Sequence, residues 1–111
     1  MNAETFTTLA QSFNETIEQP HFEKTSFRVN KKIFATLDVE KLKVGLKLSP
    51  IDQSVFCDFK PEYIFPATDA WGKQGWTIFD IKHLQDEMIQ DALTLSYCNV
   101  APKKLAELYK I

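Results

Sequence analysis

At 111 residues the chain is one domain, long enough to bury roughly two-thirds of the surface its unfolded form exposes. With 44% hydrophobic residues and nine Phe, it is neither a disordered tail nor a miniprotein dependent on disulfide staples. A net charge of −2 excludes gripping nucleic acid by bulk positive charge, since neutralised phosphates supply most of that non-specific affinity.

The charge is unevenly spread. Between Phe22 and Lys47 lie seven cations (Lys24, Arg28, Lys31, Lys32, Lys41, Lys43, Lys47) against three acids (Glu23, Asp38, Glu40), a surplus of four in a chain whose total is −2. Cys57 and Cys98 have no Cys-x-x-Cys spacing and no His/Cys cluster around them, so buried reduced thiols are expected, with no metal and no cofactor. The N-terminus lacks a basic and an apolar targeting region, and no stretch approaches the roughly 18 apolar residues of a membrane span. A cytoplasmic protein with no membrane partner is the expectation.

In chain order, Phe6, Leu9, Ala10, Phe13 and Ile17 recur at helical spacing and predict a helix from about Ala3 to Glu18, closed by Pro20. Three period-two runs follow, His21 to Val29, Lys32 to Leu37 and Leu42 to Leu48. Asn30-Lys31 joins the first two as a tight primed turn, where Asn tolerates positive φ and Gly would be the more usual second residue. Ser49, Pro50 and Asp52 form an N-cap, a first-position Pro and a first-turn acid, predicting a short helix to about Asp58. Tyr63 to Phe65 and Trp76 to Asp80 read as two more strands, separated by a loop holding Trp71, Gly72, Lys73, Gln74 and Gly75. Met88 to Asn99 is helical, with Ile89, Ala92, Leu93, Ser96 and Val100 on one face, and Lys103 to Tyr109 adds a last turn or two after Pro102. The order α-β-β-β-α-β-β-α predicts a two-layer α+β domain over residues 1–111, a five-stranded antiparallel sheet with helices on one face.

Four stretches resemble the MmcQ/YjbR family. Phe22, Lys24, Ser26, Phe27 and Val29 with Lys32, Phe34 and Ala35 resemble its strand pair, and Leu46 to Pro50 its strand-to-helix junction. Trp71, Gly72, Lys73, Gly75 and Trp76 match its Trp-Gly-Lys-x-Gly-Trp loop, the most specific part, and Ser96, Tyr97 and Val100 to Leu105 resemble its C-terminal helix. The resemblance covers nearly the whole chain. It implies a bacterial protein with a CyaY-like or secretion-chaperone-like two-layer fold and a "double wing" surface for DNA. Lys31 departs from the hairpin's preference for Gly.

Strand parity puts Lys24, Arg28, Lys43 and Lys47 on one sheet face. If Lys32 and Phe34 join them, the face mixes cations with an aromatic, as single-stranded nucleic-acid grooves do. Equally, lysines on a solvated sheet face simply discourage aggregation. A single Arg argues against bidentate guanine readout as the dominant mode. In the tryptophan loop, Gly72 and Gly75 suit positive φ or close backbone approach. Either Lys73 and one exposed Trp contact a ligand or nucleic acid, or Trp71 and Trp76 wedge the loop onto the core and Lys73 is solvated. Lys103 and Lys104, after Pro102, could hold a phosphate or be ordinary surface lysines.

Catalysis finds no arrangement of residues to carry it. His21 and His83 pair with neither cysteine nor any serine in a nucleophile-base spacing, and Glu4, Glu15 and Glu18 are too scattered for frataxin-type iron binding. The expectation is a non-enzymatic DNA-binding protein, weak and salt-dependent, using Lys24, Arg28, Lys32, Lys43, Lys47, Trp71, Lys73, Trp76, Lys103 and Lys104. The alternative is a protein-interaction module resembling small acidic secretion chaperones. A third reading is a small-molecule pocket lined by Trp71, Trp76 and Tyr63.

Overall fold

The computed structural model describes residues 1–109. Helix α1 spans Ala3–Gln11, capped by the Asn2 side chain, which accepts from Thr5 N–H at 2.8 Å. Strands β1 (Ile17–His21), β2 (Lys24–Val29), β3 (Lys32–Asp38) and β4 (Lys43–Lys47) follow, then α2 (Pro50–Phe59). Strand β5 (Ile64–Pro66), helix α3 (Asp69–Lys73), strand β6 (Trp76–Asp80) and helices α4 (Asp86–Val100) and α5 (Lys103–Ala106) complete the order, with a 3₁₀ turn over Glu107–Tyr109. The strands form one antiparallel sheet in the order β1-β2-β3-β4-β6-β5.

The sheet has six strands, not five. Ile17 follows Phe13 at helical spacing, yet α1 ends at Gln11, where Ser12 turns its hydroxyl back onto the Leu9 carbonyl. Residues from Ile17 onward instead pair with β2 as an edge strand, and the run from His21 to Val29 is broken at Phe22-Glu23 by a turn in which Phe22 has φ +58°. The edge strand has no buried alternation to announce it. The Asn30-Lys31 turn has φ of +51° and +68°, the primed geometry read from Asn30. Ser49 caps α2 as expected, accepting from Asp52 N–H at 3.2 Å.

The core lies between the helices and one sheet face. Phe27 and Val29 of β2, Leu37 of β3, Val44 and Leu46 of β4 and Phe79 of β6 are fully buried there, against Phe6 and Ala10 of α1 and Ile89, Leu93 and Tyr97 of α4. Phe6 meets Phe27 edge-on at 6.0 Å, and Phe56 of α2 meets Phe79 at 5.6 Å. Between Phe27 and Arg28 the β2–β3 register shifts, and the extra residue, Phe34, is buried against Tyr97. Ser96 of α4 fills the resulting gap in the ladder: its hydroxyl donates to the Phe34 carbonyl and accepts from Lys47 N–H at 2.8 Å. Asn99 adds a bond to the Lys47 carbonyl at 3.1 Å. A helix side chain thus completes the sheet.

Candidate functional site

With helices on one face, the other is left open to solvent. Its middle row runs straight across all the strands as Gln19, Ser26, Thr36, Gly45, Ile78 and Phe65. One flanking row holds Lys24 opposite His21 and the run Asp38, Lys43, Asp80; the other holds Ile17, Arg28 and Ile33, then Lys47 opposite Trp76. The four cations read by parity do share this face. Three acids accompany them: Asp38 and Asp80 flank Lys43, and Glu23 lines the groove beside Lys24.

Asp80 and Asp38 are already engaged. Asp80 accepts from Lys82 N–H at 3.2 Å and meets His83 Nδ1 at 3.0 Å, while Asp38 accepts from Lys41 N–H at 3.1 Å. Lys43 carries its ammonium 5.8 Å from the Phe65 ring centroid. Arg28 donates from Nε to Ser26 Oγ at 3.1 Å. Lys24, Arg28 and Lys47 have no acid opposite them in the ladder.

At the centre of the face is a half-open groove of about 830 Å³. Its floor is Ile33, Thr36, Gly45, Trp76 and Ile78; the turn at His21–Lys24 forms one wall and the segment from Phe65 to Trp71 the other. Gly45 sets the depth: a Cβ there would stand 2.6 Å from Thr36 Oγ1 and 3.7 Å from the Trp76 ring. The walls expose aromatic surface, Phe22 at 95% and Trp71 at 62%.

The tryptophan loop is a short helix rather than an open loop, because Asp69 to Lys73 wind into α3 before Gln74 and Gly75 turn the chain into β6. Both its glycines are needed for backbone packing. A Cβ on Gly72 would lie 2.1 Å from the Ala67 carbonyl oxygen, and one on Gly75, at φ +104°, 2.1 Å from that of Leu48. Gln53 of α2 secures the same segment, its Nε2 donating to the Gly72 carbonyl at 2.9 Å and to Thr77 Oγ1 at 3.1 Å. Trp71 and Trp76 therefore face the groove from a fixed support.

Other sequence candidates fall elsewhere. Lys32 sits opposite Val29, whose side chain is in the core, and Phe34 is itself buried, so neither joins the outer face. The register across the Asn30-Lys31 turn puts Lys32 and Phe34 on the core parity of Val29, and the bulge changes the alternation only from Ala35 onward. Lys73 is exposed at the end of α3 and does not line the groove. Lys103 and Lys104 lie on α5, packed in the helix layer, where Lys103 reaches Glu107 at 4.0 Å. Tyr63 stacks on His83 at 4.8 Å instead of lining a pocket with the tryptophans. Among the described residues no group of His, Cys, Asp and Glu could hold a metal, and no helix is long and apolar enough to cross a membrane. Phe22, Gly45, Phe65 and Ile78 were not among the sequence candidates. The one available signal was Gly45, a glycine inside an otherwise alternating strand.

A search of curated proteins returns no match. Among solved structures the chain is similar to protein DR2400 of Deinococcus radiodurans, which carries domain DUF419, at TM-score 0.81 and 18% identity over 97% of this chain and 87% of that one. It is also similar to a protein from Pseudomonas syringae at TM-score 0.67 and 22% identity, over 86% of this chain and 96% of that one. At these identities the likeness concerns the fold. The YjbR family model matches residues 11–99, a span that takes in the open sheet face, the groove and the tryptophan loop, and the chain belongs to the YjbR family.

Proposed function

We propose that this protein is a non-enzymatic nucleic-acid-binding domain that uses the open face of its sheet. The observation behind the reading is the sharing of that face by Lys24, Arg28, Lys43 and Lys47 and the aromatic-walled groove at its centre. Cations beside exposed aromatic rings are what a nucleic-acid surface requires, the first for phosphates and the second for base faces. With Asp38 and Asp80 beside Lys43 and Glu23 beside Lys24, about two cations stand clear of acids, so the salt slope for a single strand is about −1.4 and affinity falls roughly sevenfold between about 50 and 200 mM salt. Titration of labelled DNA at those two concentrations tests the reading. Absence of binding at low salt, or binding indifferent to salt, removes it.

The groove floor gives a second reading its own support. Ile33, Ile78 and Trp76 are apolar, and an extended peptide with large apolar side chains could seat on them, as in the expected protein-interaction alternative. Capture of such a peptide by a protein that ignores DNA favours this reading over the first.

A further inference from the structure

We infer that the groove over Gly45 is a slot for unpaired bases, so that the ligand of this face is a single strand rather than a duplex. The inference rests on the nucleic-acid reading and narrows it. Gly45 leaves the floor bare beside Thr36 Oγ1, and that hydroxyl makes no hydrogen bond among the described residues, so it is available to a base edge. Trp76 flanks the gap, and Trp71 and Phe22 stand on opposite walls with most of their ring surface in solvent. A flat group entering between them gains stacking surface on the rings and one polar contact on the floor.

Phe22 strengthens the case. It occupies a left-handed backbone conformation, φ +58°, that is costly for a bulky side chain, yet it gains nothing from the core because it is 95% exposed. Among the described residues its one ring contact is with His21, at 4.9 Å. A strained, solvated aromatic on the wall of a groove is placed for something arriving from outside.

In a duplex the base faces are sealed inside the stack, and sequence is read by an element that enters a groove of the DNA. The outer face here is hollow where its aromatics lie. Its rings meet base faces only in a strand whose bases are unstacked. Lys24 on the wall, with Arg28 and Lys47 beyond the floor, then lies near the backbone of that strand.

The test is fluorescence anisotropy with a labelled single strand of about 12 nucleotides, its duplex and a strand of the same length carrying abasic sites, at about 50 mM salt. Wild type is compared with Phe22→Ala, Trp71→Ala and Gly45→Val. The single strand is expected to bind at least about tenfold tighter than either other form, and each Ala variant to weaken it at least about fivefold. Thermal melts identify any variant that fails to fold, and the exposure of Phe22 and Trp71 makes their variants informative even if Gly45→Val unfolds. Equal binding of duplex, abasic and intact strands, unaffected by the Ala variants, overturns the slot while leaving charge-driven binding standing. No binding by any of the three overturns both, and an apolar peptide bound in their place assigns the groove to protein.

Discussion

Gln53 and Gly72 are joined across two elements: the side-chain amide of α2 donates to the carbonyl in the middle of the tryptophan segment at 2.9 Å. The same nitrogen lies 3.1 Å from Thr77 Oγ1 and 3.3 Å from the Trp76 carbonyl, so one side chain holds the end of α3 and the start of β6 together. Gln53→Leu removes the donor while keeping most of the volume, and is expected to cost about 1–3 kcal/mol. Urea unfolding measures the loss. Greater quenching of tryptophan fluorescence by acrylamide in the folded variant would show that Trp71 has lost its support; unchanged quenching would mean that the segment holds itself.

Gly75 and Gly45 separate by what surrounds them. Gly75→Ala meets a backbone oxygen at 2.1 Å from a left-handed conformation and is expected to cost more than about 3 kcal/mol. Gly45→Ala meets a side-chain atom instead, Thr36 Oγ1 at 2.6 Å, which a change of the Thr36 χ1 angle can move. An added methyl in a strand also recovers backbone entropy, so the loss should be smaller, about 1–2 kcal/mol. Thermal melts of the two variants check the contrast. Similar losses would mean that Gly45 also serves the fold.

Lys31 holds φ +68° at the second position of its turn, and its side chain makes no hydrogen bond among the described residues to stabilise that conformation. Lys31→Gly removes the steric penalty and is expected to stabilise the hairpin by about 0.5–1 kcal/mol. An unchanged or lower denaturation midpoint would show that the turn is not strained.

Tyr97 offers a pH-dependent test. Its hydroxyl donates to the Asn14 carbonyl at 2.6 Å inside the aromatic cluster with Phe13 and Tyr109. Burial first, then the proximity of Tyr109 and Glu15, pushes its pKa up from 10 to about 12. The folded chain holds this proton more firmly than the unfolded one, so the stabilisation is complete below pH 10 and is lost as pH rises toward 12. Tyr97→Phe should cost about 1 kcal/mol at neutral pH and lack this component of the alkaline decline. The gap between wild type and variant therefore narrows above pH 10. A constant gap would contradict the assignment.

The legible part of this chain is the part where local chemistry and burial agree. Asn30 announced its turn, Ser49-Pro50 its helix, and the parity of Lys24, Arg28, Lys43 and Lys47 their common face, because each rests on alternation or capping within a few residues. Edge strand β1 was hidden because Ile17 to Pro20 are exposed and carry no alternation, while Ile17 happens to sit one helical turn after Phe13. The bulge at Phe34 depends on a hydroxyl 62 residues further along the chain, which no local pattern contains. The groove was hidden for a related reason. Phe22, Gly45, Phe65 and Trp71 come from four separate segments, and only the strand order brings them to one hollow.

Ser96 ties the helix layer to the backbone of two strands at once. Because its hydroxyl and the Asn99 amide hold the backbone of Lys47 from behind, a load applied to the sheet at Lys47 from the solvent side is carried directly into α4. The next residue of that helix, Tyr97, is anchored to Asn14, and Asn14 in turn to Tyr109. A chain of hydrogen bonds thus runs from the rim of the open face, through α4, to the C-terminal turn.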